Sequence, residues 1–257
     1  MHPIAGVALL AVTVMLAVWQ VQRRTRNAGW VDVAWSYLMA AAAIVYAATG
    51  AGATLPRLAV GILGATWGVR LGTHLAHRVW NEAEDGRYRQ MRGAIGNHDG
   101  KWLACFMLQA GFTVLFSLPF WVVAQNPVVG VTPWLGAGIV LFGVALAGES
   151  IADRQLARFR ADPANRGRVC DIGLWRYSRH PNYFFEWLHW FSYVLLGVGA
   201  PWWWITPIGA ALMGASLAWV TGIPFVEAQS LRSRGEAYRE YQRRTSAFFP
   251  WFPRSGP

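Results

Sequence analysis

The densest set of chemically active side chains lies in the segment Gly173-Leu-Trp-Arg-Tyr-Ser-Arg-His-Pro-Asn-Tyr-Phe-Phe-Glu186. Proline is tolerated in the first turn of a helix, so Pro181 is expected to begin one. Asn182, Glu186 and Trp190 then stand at i, i+4 and i+8 and share a face. An amide, a carboxylate and an indole in one row, just inside an apolar stretch, make a polar seam that lipid does not tolerate; it must face protein, a cofactor or water. The competing reading is an interfacial anchor, with Arg179 and His180 at the headgroups and Trp187 and Trp190 in an aromatic belt. A belt does not require Glu186 one turn inside.

A second row is Glu149, Asp153 and Arg160, at i, i+4 and i+11. These share a face if the helix that carries them runs on past the membrane. Carboxylates accept hydrogen bonds from an amide or a ribose hydroxyl, and a guanidinium binds phosphate. A salt-bridged, solvated helix face explains the same spacing. A third set is ionisable groups within apolar runs. Asp32 opens one run with Trp35 a turn later, and Trp67, Arg70, His74 and His77 follow one another at helical spacing in the next. Such groups are costly inside a bilayer and are usually paired or functional. Asp32 and Arg70 are close enough in depth to pair across the two runs as a simple helix lock; alternatively they line the wall of a site with Trp35 and Trp67, with Asp32 either paired or protonated as a donor. Glu227, just after Pro224, is of the same kind. The segment from Glu236 to Pro250 is basic and amphipathic. Alone it reads as a membrane-surface helix, and its Arg243 and Arg244 equally suit a phosphate.

The elements that must position these residues are membrane spans. Of 257 residues 54% are hydrophobic and only 14% charged, against about a quarter charged in soluble domains. Seven apolar segments, each near the length of about 20 residues that a bilayer needs, run over 3–21, 30–48, 58–77, 102–124, 134–152, 182–198 and 203–223. The fold class expected is therefore all-α, a polytopic membrane protein of seven transmembrane helices in one domain. Arginines crowd the segments after the first, third, fifth and seventh spans, while the other loops hold only Arg57. Cytoplasmic loops collect Lys and Arg, which places the N-terminus outside and the C-terminus in the cytoplasm. The net charge of +10 is then explained by the membrane surface and not by nucleic acid. Cys105 and Cys170 fall at different depths, so no disulfide is expected. No cleavable signal peptide is evident, no zinc-type Cys/His spacing occurs, and no G-x-G-x-x-G, P-loop or H-E-x-x-H motif is present.

The segment from Gly173 to Tyr183 resembles the G-L-[FW]-x-Y-x-R-H-P-N-Y signature of the steroid 5α-reductase family. Gly29-Trp-Val-Asp-Val-Ala-Trp35 and Glu84-Asp-Gly-Arg-Tyr88 look like motifs of its bacterial branch. The resemblance covers most of the chain and is best from Glu149 onward. It implies a bacterial inner-membrane reductase that takes NADPH from the cytoplasm and a lipophilic small molecule from the bilayer, and that adds hydride to the β-carbon of an enone. It implies cofactor contacts at Asp153, Arg160, Arg179, His180, Asn182, Tyr183, Glu186 and Trp190, and a substrate end at Asp32, Arg70, Trp35, Trp67 and His74. Asp32 and Arg70 are the catalytic candidates of that reading. Glu149 stands where steroid reductases carry asparagine. Their carbonyl-polarising tyrosine, supported by a glutamate, has no counterpart on the third span, where Trp67 and Arg70 stand. The isoprenylcysteine carboxyl methyltransferases, which use S-adenosylmethionine, share R-H-P-x-Y but usually show a paired Glu-Glu after the last span, where this chain has Glu227-Ala228. A non-enzymatic lipid-binding protein is the third reading. The sequence does not specify an oligomeric state, and a monomer serves each reading.

Overall fold

A computed structural model describes residues 2–254, and among these every regular element is helical. The seven apolar segments fall on α1 (Pro3–Thr25), α2 (Trp30–Thr49), α3 (Thr54–Asn81), α5 (Asp99–Ala124), α6 (Pro133–Ala161), α7 (Pro181–Leu196) and α8 (Ile205–Ala215). A short helix α4 (Gly86–Ile95) stands between α3 and α5, and α9 (Ile223–Arg234) and α10 (Glu236–Arg244) follow α8. Five stretches are long and apolar enough to cross a membrane: α1, α2, α5, α6 and the run from Ile205 to Arg234. The other two expected spans fall short for different reasons. Arg57, Arg70 and Arg78 punctuate α3, and α7 has 16 residues, about 24 Å at 1.5 Å per residue.

The last run is not one regular helix. Residues Ser216–Val220 form a π-turn, and Gly222 and Pro224 start α9. Pro224 has no N–H for the carbonyl of Val220 and its ring crowds that carbonyl, so the helix widens and breaks before it. The Thr221 N–H bonds to the Ser216 oxygen at 2.7 Å, five residues back.

Two compact units form. The first contains the residues up to Ile139 and Tyr193–Gly209, and the second contains Val140–Ser192 and the residues from Ala210 on. In the first, α5 packs on α1 and α2, and α2 lies against α3. The α2–α3 contact is close because glycine lines it. A Cβ on Gly68 would stand 2.6 Å from the Ser36 carbonyl oxygen, and one on Gly64 2.6 Å from the Ala43 methyl. Without water to drive apolar burial, such close backbone approach is what gives packing its strength. Arg57 Nε and Nη2 donate to the Ala47 and Ala48 carbonyls at 2.8 and 3.0 Å, which closes the C-terminus of α2.

In the second unit α6 and α7 run antiparallel. Gly148 faces the Phe185 ring, and the rings of Phe142 and His189 meet edge to face at 6.1 Å. The signature loop docks on α6. Trp175 Nε1 donates to the Ala152 carbonyl at 2.9 Å, and the Leu174 N–H donates to Gln155 Oε1 at 2.9 Å. Gly173 turns the chain there with φ 57, and a Cβ would lie 2.4 Å from the Gln155 amide. The membrane-surface reading of the C-terminal helix is corrected. Tyr238 and Tyr241 of α10 are buried within the protein, and Arg243 pairs with Glu236 and Glu240. An amphipathic pattern says that one face is covered, and here protein covers it.

Candidate functional site

Three polar clusters carry the candidate residues. The first lies in the first unit, where the α3–α4 turn meets the start of α2. Asp32 is engaged from α4. Its Oδ2 accepts from Arg87 Nη2 at 2.9 Å and its Oδ1 from the Tyr88 hydroxyl at 2.8 Å. Arg70 lies on α3 with Nε and Nη2 closed off from solvent. The sequence pattern could not show that α4 folds back from the end of α3 and presents two donors to Asp32. Arg87 also bridges to Asp85 at 3.3 Å, and Asp85 caps α4 by accepting from the Arg87 N–H at 2.9 Å and pairs with Arg78. Burial alone pushes the Asp85 carboxyl up, but the guanidiniums of Arg87 and Arg78 outweigh it and hold it below the usual carboxylate value. Burial, and then the Asp32 charge, push the Tyr88 phenol well above its ordinary range, so it stays a neutral hydroxyl. Beside this group, Glu84 accepts from the Ala28 N–H at 2.8 Å and from Arg92 at 2.7 and 3.1 Å, and Arg92 lies 4.7 Å over the Trp102 ring. Glu84, Arg87 and Tyr88 were legible only as parts of a motif and Arg92 only as loop charge, and their purpose was not.

Of the expected substrate-end residues, Trp35 and Trp67 meet edge to face at 5.9 Å, and Trp35 also meets Phe116 at 6.2 Å. His74 stands exposed on α3.

The second cluster belongs to α6 and α7. Asn182 Nδ2 donates to Asp153 Oδ1 at 3.4 Å. One turn deeper Glu149 and Glu186 are buried, at 6% and 8% exposure, at the level where Gly148 meets Phe185. Trp190 is fully buried another turn along, next to the His189 ring, and His189 Nδ1 stands 3.9 Å from Glu186 Oε2. In the other direction α6 continues through Asp153 to an exposed Arg160, so the condition that the helix run on is met. The antiparallel helices thus bring Asp153 and Asn182 together and place the two buried glutamates at one depth. Carboxylates lie inside and a guanidinium lies about 10 Å further out, at 1.5 Å per residue.

The third cluster joins the signature arginine and histidine to the C-terminal segment. Arg179 Nε donates to Glu227 Oε1 at 2.7 Å, and Arg179 Nη1 donates to the carbonyls of Gln242 and Thr245 at 3.1 and 2.6 Å. His180 Nε2 lies 3.3 Å from Glu227 Oε1, and Gln242 Nε2 donates to Glu227 Oε2 at 2.8 Å. The His180 and Tyr183 rings stack at 5.6 Å. The Tyr241 hydroxyl donates to the Trp175 carbonyl, and Ser178 Oγ donates to that of Phe248 at 2.8 Å. Burial pushes the phenols of Tyr238 and Tyr241 up, the former to about 12. Arg179, His180 and Glu227 are therefore fastened to one another and to the tail.

Cys105 and Cys170 are both free, and among the described residues no group of His, Cys, Asp and Glu is arranged to hold a metal ion. A family described as protein of unknown function (DUF1295) matches residues 18–245. The chain belongs to this family. No curated protein and no solved structure matches it. The family match takes in all three clusters, from Asp32 through Glu227 to Gln242.

His180 gives the third cluster a pH dependence. Burial lowers its pKa from 6.5, and Glu227 opposes that without reversing it. The folded state then binds fewer protons than the unfolded one between the lowered value and 6.5, so stability falls as pH drops through that window. Melting temperature should decline from pH 7 to pH 5 in the parent and decline less in His180→Asn; an equal decline would assign the effect to other groups.

Proposed function

We propose that the chain is a seven-span membrane reductase that transfers hydride from NADPH to the conjugated C=C bond of a lipophilic enone, with its N-terminus outside and its cofactor site toward the cytoplasm. The observation that carries this reading is the α6–α7 row of Glu149, Glu186, Asp153, Asn182 and Arg160. The segment Gly173–Tyr183 also resembles the signature of the steroid 5α-reductases. The donor set fits a dinucleotide. Asp153 and Asn182 offer an acceptor and an amide for carboxamide or ribose hydroxyls, and the exposed Arg160 suits a phosphate. When bound, NADPH supplies the hydride. The protein's part is to hold the cofactor along this row, with the buried glutamates at its inner end.

At the substrate end the reading assigns the polarising hydroxyl to Tyr88. Asp32, engaged by Arg87 and Tyr88, serves as an acceptor that orients Tyr88 and not as the donor itself. Tyr88 stays neutral, and its single hydroxyl proton, given to Asp32 in this structure, must turn from Asp32 to a substrate oxygen where negative charge develops. Trp35 and Trp67 offer flat apolar surface for such a substrate.

NADPH should raise the melting temperature of the purified protein, and S-adenosylmethionine should not. Arg160→Ala should weaken binding of NADPH more than that of NADH. A shift with S-adenosylmethionine alone would replace the reductase by a methyltransferase, and a shift with neither would favour a lipid-binding protein.

Tyr88→Phe should retain the NADPH shift and lose most of the rate on an enone, on the order of 100-fold for one lost donor. An unchanged rate would remove Tyr88 from the mechanism.

Reporter fusions after Gly52 and after Gly167 should report opposite sides of the membrane. The same side for both would overturn the seven-span topology.

A further inference from the structure

One end of the first unit has no ionised side chains in its α5–α6 and α7–α8 connections. Between Lys101 and Glu149, and again between Glu186 and Glu227, the chain has no Asp, Glu, Lys or Arg. The middle of each stretch is a turn, residues 125–132 between α5 and α6 and residues 197–204 between α7 and α8. Turns are normally the most polar parts of a chain, yet these present apolar side chains outward. Val129 is 85% exposed and Val131 82%, and Trp134, Trp202 and Trp204 are exposed as well. An apolar surface in that setting marks an interaction site.

The connections at this end are tied to one another by their own polar groups. Asn126, itself buried, donates through Nδ2 to the carbonyls of Leu196 and Val198 at 2.9 and 3.1 Å and accepts from the Val128 N–H at 3.1 Å. The Ala53 N–H donates to the Asn126 carbonyl at 2.7 Å, and that of Gly52 to the Ala124 carbonyl at 3.0 Å. One buried amide thus knits three connections together. Trp203 Nε1 donates to the Val194 carbonyl at 2.8 Å. Trp202 holds a left-handed backbone, φ 62, unusual for a residue with a side chain, and its ring packs on Trp121 at 5.6 Å. The polar groups that link the connections turn inward, whereas the N–H groups of residues 129–131 take no protein acceptor among the described residues and need water within reach; valine and tryptophan side chains turn outward.

We propose that this end lies in the membrane interface and not in bulk water, with the 127–131 loop and Trp134, Trp202 and Trp204 at the level of the glycerol groups, where headgroup water still reaches the loop's N–H groups. Lipid is the occupant that these residues fit. The α5–α6 and α7–α8 connections have no ionised side chain with which to recognise a charged partner, and the nearby Arg57 is turned onto the Ala47 and Ala48 carbonyls. The surface continues the apolar sides of the helices that lead into it, and indole favours the membrane interface. It follows that contact is indifferent to headgroup charge. The inference requires only a membrane-embedded protein and is independent of the reductase reading.

The test uses the full chain with Cys105→Ser and Cys170→Ser, carrying a single Val129→Cys, Val131→Cys or, as a water-facing control, Glu82→Cys. Each is labelled with an environment-sensitive fluorophore and reconstituted in phosphatidylcholine vesicles with iodide on both sides. Lipid bearing a shallow nitroxide should quench positions 129 and 131 several-fold more than iodide does, with the order reversed at 82, and 20% phosphatidylglycerol should change nothing. Iodide quenching at 129 and 131 equal to that at 82 would overturn the proposal. Protection from both quenchers would also overturn it and would assign the surface to a second copy of the chain. Both valines are almost wholly exposed, so the two variants test the idea without disturbing the fold.

Discussion

A charge near hydrocarbon must be balanced inside the protein, because no water is there to do it, and that requirement shapes both units. In the first, Asp32, Asp85 and Glu84 meet Arg87, Arg78 and Arg92 around the start of α2. In the second, Glu227 meets Arg179 and His180. Removing one member of such a group leaves its partner uncompensated, which is far more harmful than never having had the pair. The helices between these clusters are free to be apolar because the clusters absorb the charge.

The cluster at Asp32 and the row on α6 and α7 differ in what they leave for chemistry. The first is crowded with cations and carboxylates that already satisfy one another, so a substrate can gain only from a group such as Tyr88 that shares its partner. The row on α6 and α7 alternates buried acid with an outlying guanidinium along a helix that continues well past the signature loop. An elongated, doubly functional ligand suits that spacing better than a compact one.

Much of this was legible in the sequence, and the exceptions have physical causes. Helical periodicity places Glu149 with Asp153 and Asn182 with Glu186 because spacing within a helix is fixed by its geometry. Spacing cannot choose among partners from different elements, so Arg87 and Tyr88, which reach Asp32 from a helix hidden in a polar loop, were not legible as its partners. The Asp85 cap and the Gly86 that follows it were the available signal for α4. Amphipathicity in the tail revealed a covered face but not the cover. The break after Val220 follows from Pro224, whose effect reaches back four residues into a stretch that otherwise reads as one uninterrupted span.

The manner in which Arg179 is held bears on how the chain can vary. Its side chain meets the main-chain oxygens of Gln242 and Thr245, and any amino acid supplies such an oxygen. That part of the hold depends on the path of the tail and not on its letters, so a change of side chain at Thr245 leaves the Arg179 bond in place. Gln242 has less freedom, because its side chain also reaches Glu227. Glu227 has none, since nothing in a backbone can replace a negative charge, and drift should be strict at the acid that answers the signature arginine.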